Sequence, residues 1–354
     1  MIGEMRRLTG IAMRKEGRFR FAAIAIVAAA APVWGAYATS AIAETHKPNG
    51  RQSVARAGSK IANSRGPCLS FRGLKDSIIE NIIVGPCRGN GIELRDSHNV
   101  TVRNVTITDA AGSGILAIGS SSIEVTESRI SGGVTGVNVI HSSGVRVSCN
   151  TIEDPRGPIP RGQLVQFNNV TGANNNIICN VGRNRPRADR QPEDAISLYQ
   201  SLGTAASPIV VMNNIIVGGG PSESGGGIML GDSGGEHQVA QGNILVDPGQ
   251  YGIAVSSGNN MAILDNVVLS RQQAFTNVGI YVWNQYPHPC HAISIEGNKV
   301  KWINKTGESN PFWDGENCST IAGIERNDFS AELSPEIIDI KAPAECKCLT
   351  QGRR

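Results

Sequence analysis

The stretch Val145-Arg146-Val147-Ser148-Cys149-Asn150-Thr151-Ile152 decides the fold. Its β-branched residues alternate with polar ones, the period-two pattern of a strand. An Asn interrupts the alternation, and an aliphatic residue resumes two places on. The same frame (aliphatic, two residues, usually Asn, one residue, aliphatic) stands at ten places. It reads Ile78/Asn81/Ile83, Val102/Val105/Ile107 with Asn104 one place early, Val125/Ser128/Ile130, Val147/Asn150/Ile152 and Ile177/Asn180/Gly182. It continues as Val211/Asn214/Ile216, Ala240/Asn243/Leu245, Ile263/Asn266/Val268, Ile295/Asn298/Val300 and Ile324/Asn327/Phe329. The central positions are separated by 24, 23, 22, 30, 34, 29, 23, 32 and 29 residues.

A period near 23 with occasional longer steps is the pattern of a solenoid whose insertions form loops. One coil cannot bury its apolar face, but coils stacked at about 4.8 Å can. An Asn at one turn position would stack into a ladder of amides and would tolerate a left-handed backbone there. A second element, Gly-Ile-x-aliphatic, precedes the Asn frame in most coils. Examples are Gly91-Ile92-Glu93-Leu94, Gly136-Val137-Asn138-Val139, Gly227-Ile228-Met229-Leu230, Gly252-Ile253-Ala254-Val255 and Gly279-Ile280-Tyr281-Val282. Asp194-Ala195-Ile196-Ser197-Leu198 fills the same slot. Each coil therefore carries at least two strands. Composition agrees: of 354 residues 18% are charged, 5% are aromatic and 42 are Gly, which suits short strands joined by tight turns. The net charge of +3 is too small to indicate nucleic acid or an anionic membrane as a partner.

These repeats resemble the right-handed parallel β-helix of the pectin-lyase-like superfamily, over roughly residues 66 to 330. The resemblance implies an all-β, right-handed parallel β-helix of about ten coils. It also implies a function among those the superfamily hosts: pectate lyases, polygalacturonases, uronate epimerases and non-catalytic NosD-like periplasmic proteins. Glu193-Asp194-Ala195-Ile196-Ser197-Leu198 is similar to the polygalacturonase segment in which paired acids enter a strand. The Asn-Thr-Asp, Gly-His-Gly and Arg-x-Lys signatures of that family are absent, as is the Asp-Pro-His-Asp motif of mannuronan epimerases. These departures argue against standard polygalacturonase or epimerase chemistry, and no pectate-lyase calcium set stands out.

The remaining organisation is read as a signal peptide at 1–43, a linker at 44–65, the solenoid at 66–330 and a tail at 331–354. Basic residues Arg14, Lys15, Arg18 and Arg20 precede the apolar run Phe21 to Val33, and Ser40-Ala41-Ile42-Ala43 fits a cleavage site. A run this short is expected to be removed rather than to anchor the chain in a membrane. The protein is expected to be secreted or periplasmic, which makes its eight cysteines disulfide candidates. Cys149 and Cys179 each stand one residue before a frame Asn in consecutive coils, so the register pairs them. Cys68–Cys87 follows from proximity, and the pairing of Cys290, Cys318, Cys346 and Cys348 stays open. His288-x-Cys290-His291 is flanked by Pro287 and Pro289 and reads as a rigid loop, not a metal site.

If the aliphatic residues of each Gly-Ile-x-aliphatic strand point inward, their neighbours point out. That outward track reads Glu93, Arg95, Asn138, Gln166, Asn168, Ser197, Tyr199, Met229, Ala254, Ser256, Tyr281 and Trp283, polar and small before it turns aromatic. Such a groove suits a polysaccharide. The long steps set insertions over the central coils, where binding and catalysis concentrate. Asp194 enters one groove strand and Asp232 leaves the corresponding strand a coil later, so the two could face each other as the acid and base of glycosidic cleavage. Glu193 and His237 are further catalytic candidates. Arg161, Arg183 and Arg187 are candidates to bind substrate carboxylates bidentately, and Tyr199, Tyr281 and Trp283 to hold sugar rings. Calcium would enter if the reaction is a uronate elimination, which needs a cation to stabilise the enolate-like intermediate. The expectation is an exported carbohydrate-active protein, a polysaccharide lyase or glycoside hydrolase. The competing readings are a non-catalytic carbohydrate-binding or surface-structural β-helix, and a uronate epimerase.

Overall fold

The structure, a computed structural model, describes residues 52–54, 57–63, 65–158, 160–185, 190–222, 224–339 and Cys346. It is a parallel β-helix with three strands per coil. In the coil that holds the deciding stretch these are Val137–Ile140, Ser143–Ser148 and Thr151–Glu153. The first two types belong to one twenty-stranded sheet, and the third forms a separate ten-stranded sheet. All pairings between named strands are parallel and join each strand to its counterpart one coil away, as in Val137↔Val165 and Val165↔Ile196.

The interior is built from stacked columns of aliphatic residues, because alternate side chains of every strand turn inward. Val165, Ile196, Ile228, Ile253 and Ile280 occupy successive rungs of one such column, all buried. The glycine that opens each Gly-Ile-x-aliphatic strand is a packing requirement. A Cβ on Gly136 would lie 2.4 Å from Ile152 Cγ2, and one on Gly252 would lie 2.4 Å from Val268 Cγ1. The exception supports the rule. Leu164 replaces that glycine in one coil, and the residue it faces is Gly182, where a Cβ would lie 2.2 Å from Leu164 Cδ1. Volume is exchanged between two positions and the core density is kept.

The Asn ladder is continuous from Asn150 to Asn327. Each side-chain Nδ2 donates to Oδ1 of the Asn one coil on, at 3.0 Å for Asn150–Asn180 and Asn180–Asn214 and 2.9 Å for Asn214–Asn243 and Asn243–Asn266. The same Oδ1 accepts the preceding Asn backbone N–H, and the remaining Nδ2 hydrogen reaches a carbonyl of the coil behind, as in Asn243 Nδ2 to Val211 O at 2.9 Å. Each amide thus saturates buried backbone groups on either side.

Three details differ from the sequence reading. The ladder position in the first coil is Ile82 and not Asn81, because Ile79 pairs with Val102 and Ile83 with Thr106. Asn81 instead aligns with Asn104, to which it is hydrogen-bonded at 2.7 Å. The left-handed residue is the one before the ladder Asn: Asn104, Cys149, Cys179, Asn213 and Asp265 have φ of 49°, 60°, 57°, 55° and 55°. That residue turns the corner, and the Asn itself is free to bond along the stack. The stretch 44–65 also already holds strands, Gln52–Ser53 paired with Ser77–Ile78 and Lys60–Asn63 paired with Ile83–Cys87. Val54 and Ile61 are the two apolar side chains that seat them on the core, too few to register as a period. The leader read at 1–43 lies outside the described residues.

The cysteines correct a further expectation. Cys68–Cys87 is formed, Cys290 pairs with Cys318, and Cys179 pairs with Cys346 instead of Cys149. Cys149 is disulfide-bonded as well. Coil spacing permits a bond between corner residues of adjacent coils, but does not demand it. Here Cys346 takes Cys179, with Cα atoms 5.5 Å apart.

Substituting Asn243 by Ala strands the Asn214 amide donors and the Val211 carbonyl in the core. At about 1–3 kcal/mol per unsatisfied buried group, Asn243→Ala is expected to cost on the order of 3 kcal/mol or more. Urea unfolding reads this directly. A loss under about 1 kcal/mol would show that the ladder contributes little.

Candidate acidic and aromatic groove site

The outward side chains of the first strand type form one register column: Asn138, Gln166, Ser197, Met229, Ala254, Tyr281 and Trp313. Most of this floor is buried, with Ser197 only 1% exposed. Tyr199, Asp232, Trp283, Tyr286 and Trp313 stand more open along it. The column begins with amides and a hydroxyl and ends in aromatics. Tyr281 meets Tyr251 edge-on at 5.2 Å between ring centroids, and Trp313 lies 6.5 Å from Tyr281 and 5.9 Å from Trp283.

Asp232 owes its place to a local irregularity. In the strand Ile196–Leu202 four residues separate Ser197 from Ser201, whereas six separate their partners Met229 and Gly235 in Ile228–Gln241. The first extra residue falls between Met229 and Asp232 and shifts the register so that Tyr199 pairs with Asp232, and the second falls between Asp232 and Gly235. Bulges of this kind re-aim side chains beside functional sites. The turn is pinned on three sides. Gly231 N–H donates to Gln238 Oε1 at 2.9 Å, the Ser257 hydroxyl donates to Gly231 O at 2.6 Å, and Gly234 N–H donates to Ser257 Oγ at 2.7 Å. Only glycine fits at 231, since a Cβ there would lie 1.8 Å from Ser257 O. The Asp232 carboxylate accepts the Ser197 hydroxyl at 3.1 Å and the Tyr286 hydroxyl at 3.0 Å.

Asp194 lies behind this group and is 3% exposed. It accepts the Tyr251 hydroxyl and the Gly226 N–H, the latter at 3.2 Å. Tyr251 sits two coils from Asp194, in the slot before the opening glycine of its own strand, and Gly226 fills that slot in the coil between. A Cβ on Gly226 would lie 2.5 Å from the Tyr251 ring, so this glycine lets the phenol cross a whole coil to the acid. Burial, then the charges of Glu193 and Asp232, push the Asp194 carboxyl well above the ordinary carboxylate range, outweighing the two hydrogen bonds. Burial and the neighbouring acids likewise raise the phenols of Tyr251, Tyr281 and Tyr286. The cluster therefore sets a buried acid with a raised carboxyl, Asp194, and three phenols held neutral beside the partly exposed Asp232.

The structure brings Asp194, Asp232, Glu193, Tyr199, Tyr281 and Trp283 to this side of the solenoid. Glu193 accepts the Ser224 hydroxyl at 3.2 Å, and its N–H is bonded to Arg161 O. His237 is not brought in. It follows the Gly231–Gly235 turn, between the residues paired with Asn259 and Met261, and no hydrogen bond among the described residues joins it to either acid. Arg183 is exposed on Val181–Arg183, a strand of the ten-stranded sheet on another face. Arg161 turns its guanidinium to the Pro160 carbonyl at 3.1 Å, and Arg187 lies outside the described residues. Arg185 and Arg190 both pair with Asp154, so much of the arginine loop is neutralised within the protein.

Three contributors went unread in the sequence. Tyr251 shares the slot of Asp194, one residue before the strand glycine, and comparing that slot across coils would have found it. Trp313 sits in a strand that opens with Pro311-Phe312 where most of the others have Gly followed by Ile or Val. Tyr286 reaches Asp232 from a Pro-rich loop, and no periodicity marks it. Among the described residues no group of three His, Cys, Asp or Glu side chains converges as a metal site.

The raised Asp194 predicts a pH effect on stability. Above the ordinary value of 3.8 the unfolded chain releases this proton while the folded protein keeps it, so stability falls as pH rises towards the raised folded value. Asp194→Asn retains an acceptor for Tyr251 and does not titrate. Stability of the wild type relative to this variant is expected to decline as pH rises above the ordinary carboxylate value. Parallel Tm–pH curves for the two proteins would refute the assignment.

A model of the right-handed β-helix region matches residues 59–300. No curated protein matches the chain in sequence. Among solved structures, the periplasmic alginate epimerase AlgG is 13% identical with a TM-score of 0.50, over 72% of this chain and 59% of that one. The catalytic domain of a GH87 α-1,3-glucanase in complex with nigerose is 14% identical with a TM-score of 0.48, over 78% and 55%. A tailspike protein mutant of E. coli bacteriophage HK620, in complex with a hexasaccharide, is 12% identical with a TM-score of 0.47, over 71% and 46%. The chain thus spans 46–59% of the length of these three proteins, and likeness at such identities concerns the fold. With more than half of its length matched by the family model and its coils as described, the chain belongs to the right-handed β-helix family.

Proposed function

We propose that the protein is an exported carbohydrate-active enzyme that cleaves a polysaccharide laid along the groove. The observation that carries this reading is the partly exposed acid Asp232, held by the Ser197 and Tyr286 hydroxyls beside the buried Asp194 and followed along the groove by Tyr281, Trp283 and Trp313. Asp232 is the acid that can touch substrate, as base or nucleophile at the scissile bond. Asp194, sealed under Tyr251, is a positioning residue: it fixes the tyrosine against which Tyr281 packs. The fold is shared with an enzyme named for acting on alginate, which is compatible with a glycan-processing role on this scaffold. The disulfides support export to an oxidising compartment. One observation favours a second reading, a non-catalytic glycan-binding β-helix: Asp194 is 3% exposed and cannot itself reach a leaving group.

Incubation of the protein with neutral and acidic polysaccharides separates the readings. Unsaturated ends mark a lyase, and reducing ends without them mark a hydrolase. Asp232→Asn is expected to lower kcat/KM by about 10²- to 10⁴-fold at unchanged Tm. Cleavage at the wild-type rate would remove Asp232 from the mechanism, and retained binding with no cleavage by the wild type would favour the second reading.

A further inference from the structure

The outer side of the ten-stranded sheet, a face apart from the groove, changes character along the solenoid. One register column there reads Thr106, Arg129 and Thr151 on three successive coils. It then becomes Val181, Ile215, Ile244 and Val267 before returning to a charge at Lys299. These aliphatic side chains point away from the interior, because their chain neighbours Ile216, Leu245 and Val268 take the core side. An aliphatic run on the outside of a sheet marks a contact surface. It is also covered: Ile215 is 8% exposed, and Val246, outward at the far end of Ile244–Val246, is 3% exposed.

We propose that this face is a docking surface for the chain's own C-terminal tail, with the Cys179–Cys346 bond as its latch. Three points of the tail meet coils progressively nearer the N-terminus. Glu332 reaches Lys301 at 2.9 Å, the 3₁₀ turn Pro335–Asp339 lies against Ile244–Val246, and Cys346 is bonded to Cys179. Lys301 and Cys179 stand at the two ends of the aliphatic run, and the turn lies on its middle. Burial alternates along the tail: Leu333, Pro335 and Ile337 are partly buried, while Glu332, Ser334 and Glu336 are exposed. Its apolar residues therefore turn to the protein and its polar ones to water. The contacts are few and the ion pair is exposed, so they need the tether, which keeps the tail at high local concentration over the sheet. Cys346 is 0% and Cys179 3% exposed, and a bond so shielded resists thiol exchange, which makes the latch a permanent one.

The test opens the latch in the full-length protein. Cys149 and Cys179, both disulfide-bonded corner residues, are replaced by Asn, which occupies the equivalent left-handed corners at 104 and 213. Leu333→Asp and Ile337→Asp are added to spoil the docking edge of the tail, and freed thiols are capped with iodoacetamide. Emission of an apolar dye and sedimentation velocity are then compared with the wild type. Dye emission is expected to rise at least about threefold, and the opened protein to self-associate as its concentration increases. Adding Ile215→Thr and Ile244→Thr, which extends the threonines of the earlier coils into the aliphatic run, is expected to return both readings close to the wild type. If the opened protein loses its β-sheet circular dichroism, Leu333→Asp with Ile337→Asp alone, its disulfides intact, is expected to show the same changes and the same reversal. Dye binding and sedimentation that stay at the wild-type level would overturn the proposal. So would a rise that the two threonines leave in place, because the newly exposed surface would then lie elsewhere.

Discussion

A column of buried amides holds the coils of this protein in step. Each Asn of the ladder bonds forward to the next side chain and backward to a main-chain carbonyl, so a coil displaced by one residue would leave several buried groups without partners. Hydrophobic stacking alone is non-directional and would tolerate some slippage. The amides supply the register, and the register carries every column on the outer surface. Asn138, Gln166, Ser197 and Met229 are neighbours across four coils because Asn150, Asn180, Asn214 and Asn243 are neighbours at the corner.

Against that regular frame the site is made by departures from it. One extra residue between Met229 and Asp232 sets Asp232 opposite Tyr199, and a glycine at 226 opens a gap through which Tyr251 reaches Asp194. The acids differ in depth. Asp194 is enclosed, and burial raises its carboxyl, while Asp232 remains partly exposed and is fixed by two hydroxyl donors. The scaffold is stiff in the same region, with Ser256 and Ser257 both bonded to the Gly231 carbonyl. Preorganisation of this kind holds a carboxylate in place before substrate arrives.

Local patterns made the solenoid legible, since period-two alternation and a repeated Asn frame are properties of short segments. Parity along each strand also indicated the groove track, including Tyr199, Tyr281 and Trp283. What could not be read were relations between coils that share no motif. Asn81 looked like a ladder residue, and only the pairing of Ile79 with Val102 shows it to be a corner residue. Cys179 looked as if it would bond along the stack to Cys149, but its partner Cys346 is 167 residues away. Arg185 and Arg190, in the same insertion as the candidate Arg187, both pair with Asp154, which belongs to the preceding coil. In each case a residue's partner is decided by tertiary proximity and not by spacing in the chain.

The proposed function places a glycan along one face of the solenoid, the column from Gln166 to Trp313, with its scissile bond at Asp232. A crystal structure of the Asp232→Asn protein with a bound oligosaccharide tests it most directly. The account predicts sugar rings lying along that column, a ring packed on Tyr281 or Trp313, and a glycosidic oxygen beside residue 232. A saccharide held instead on the ten-stranded sheet, around Arg183, would contradict it.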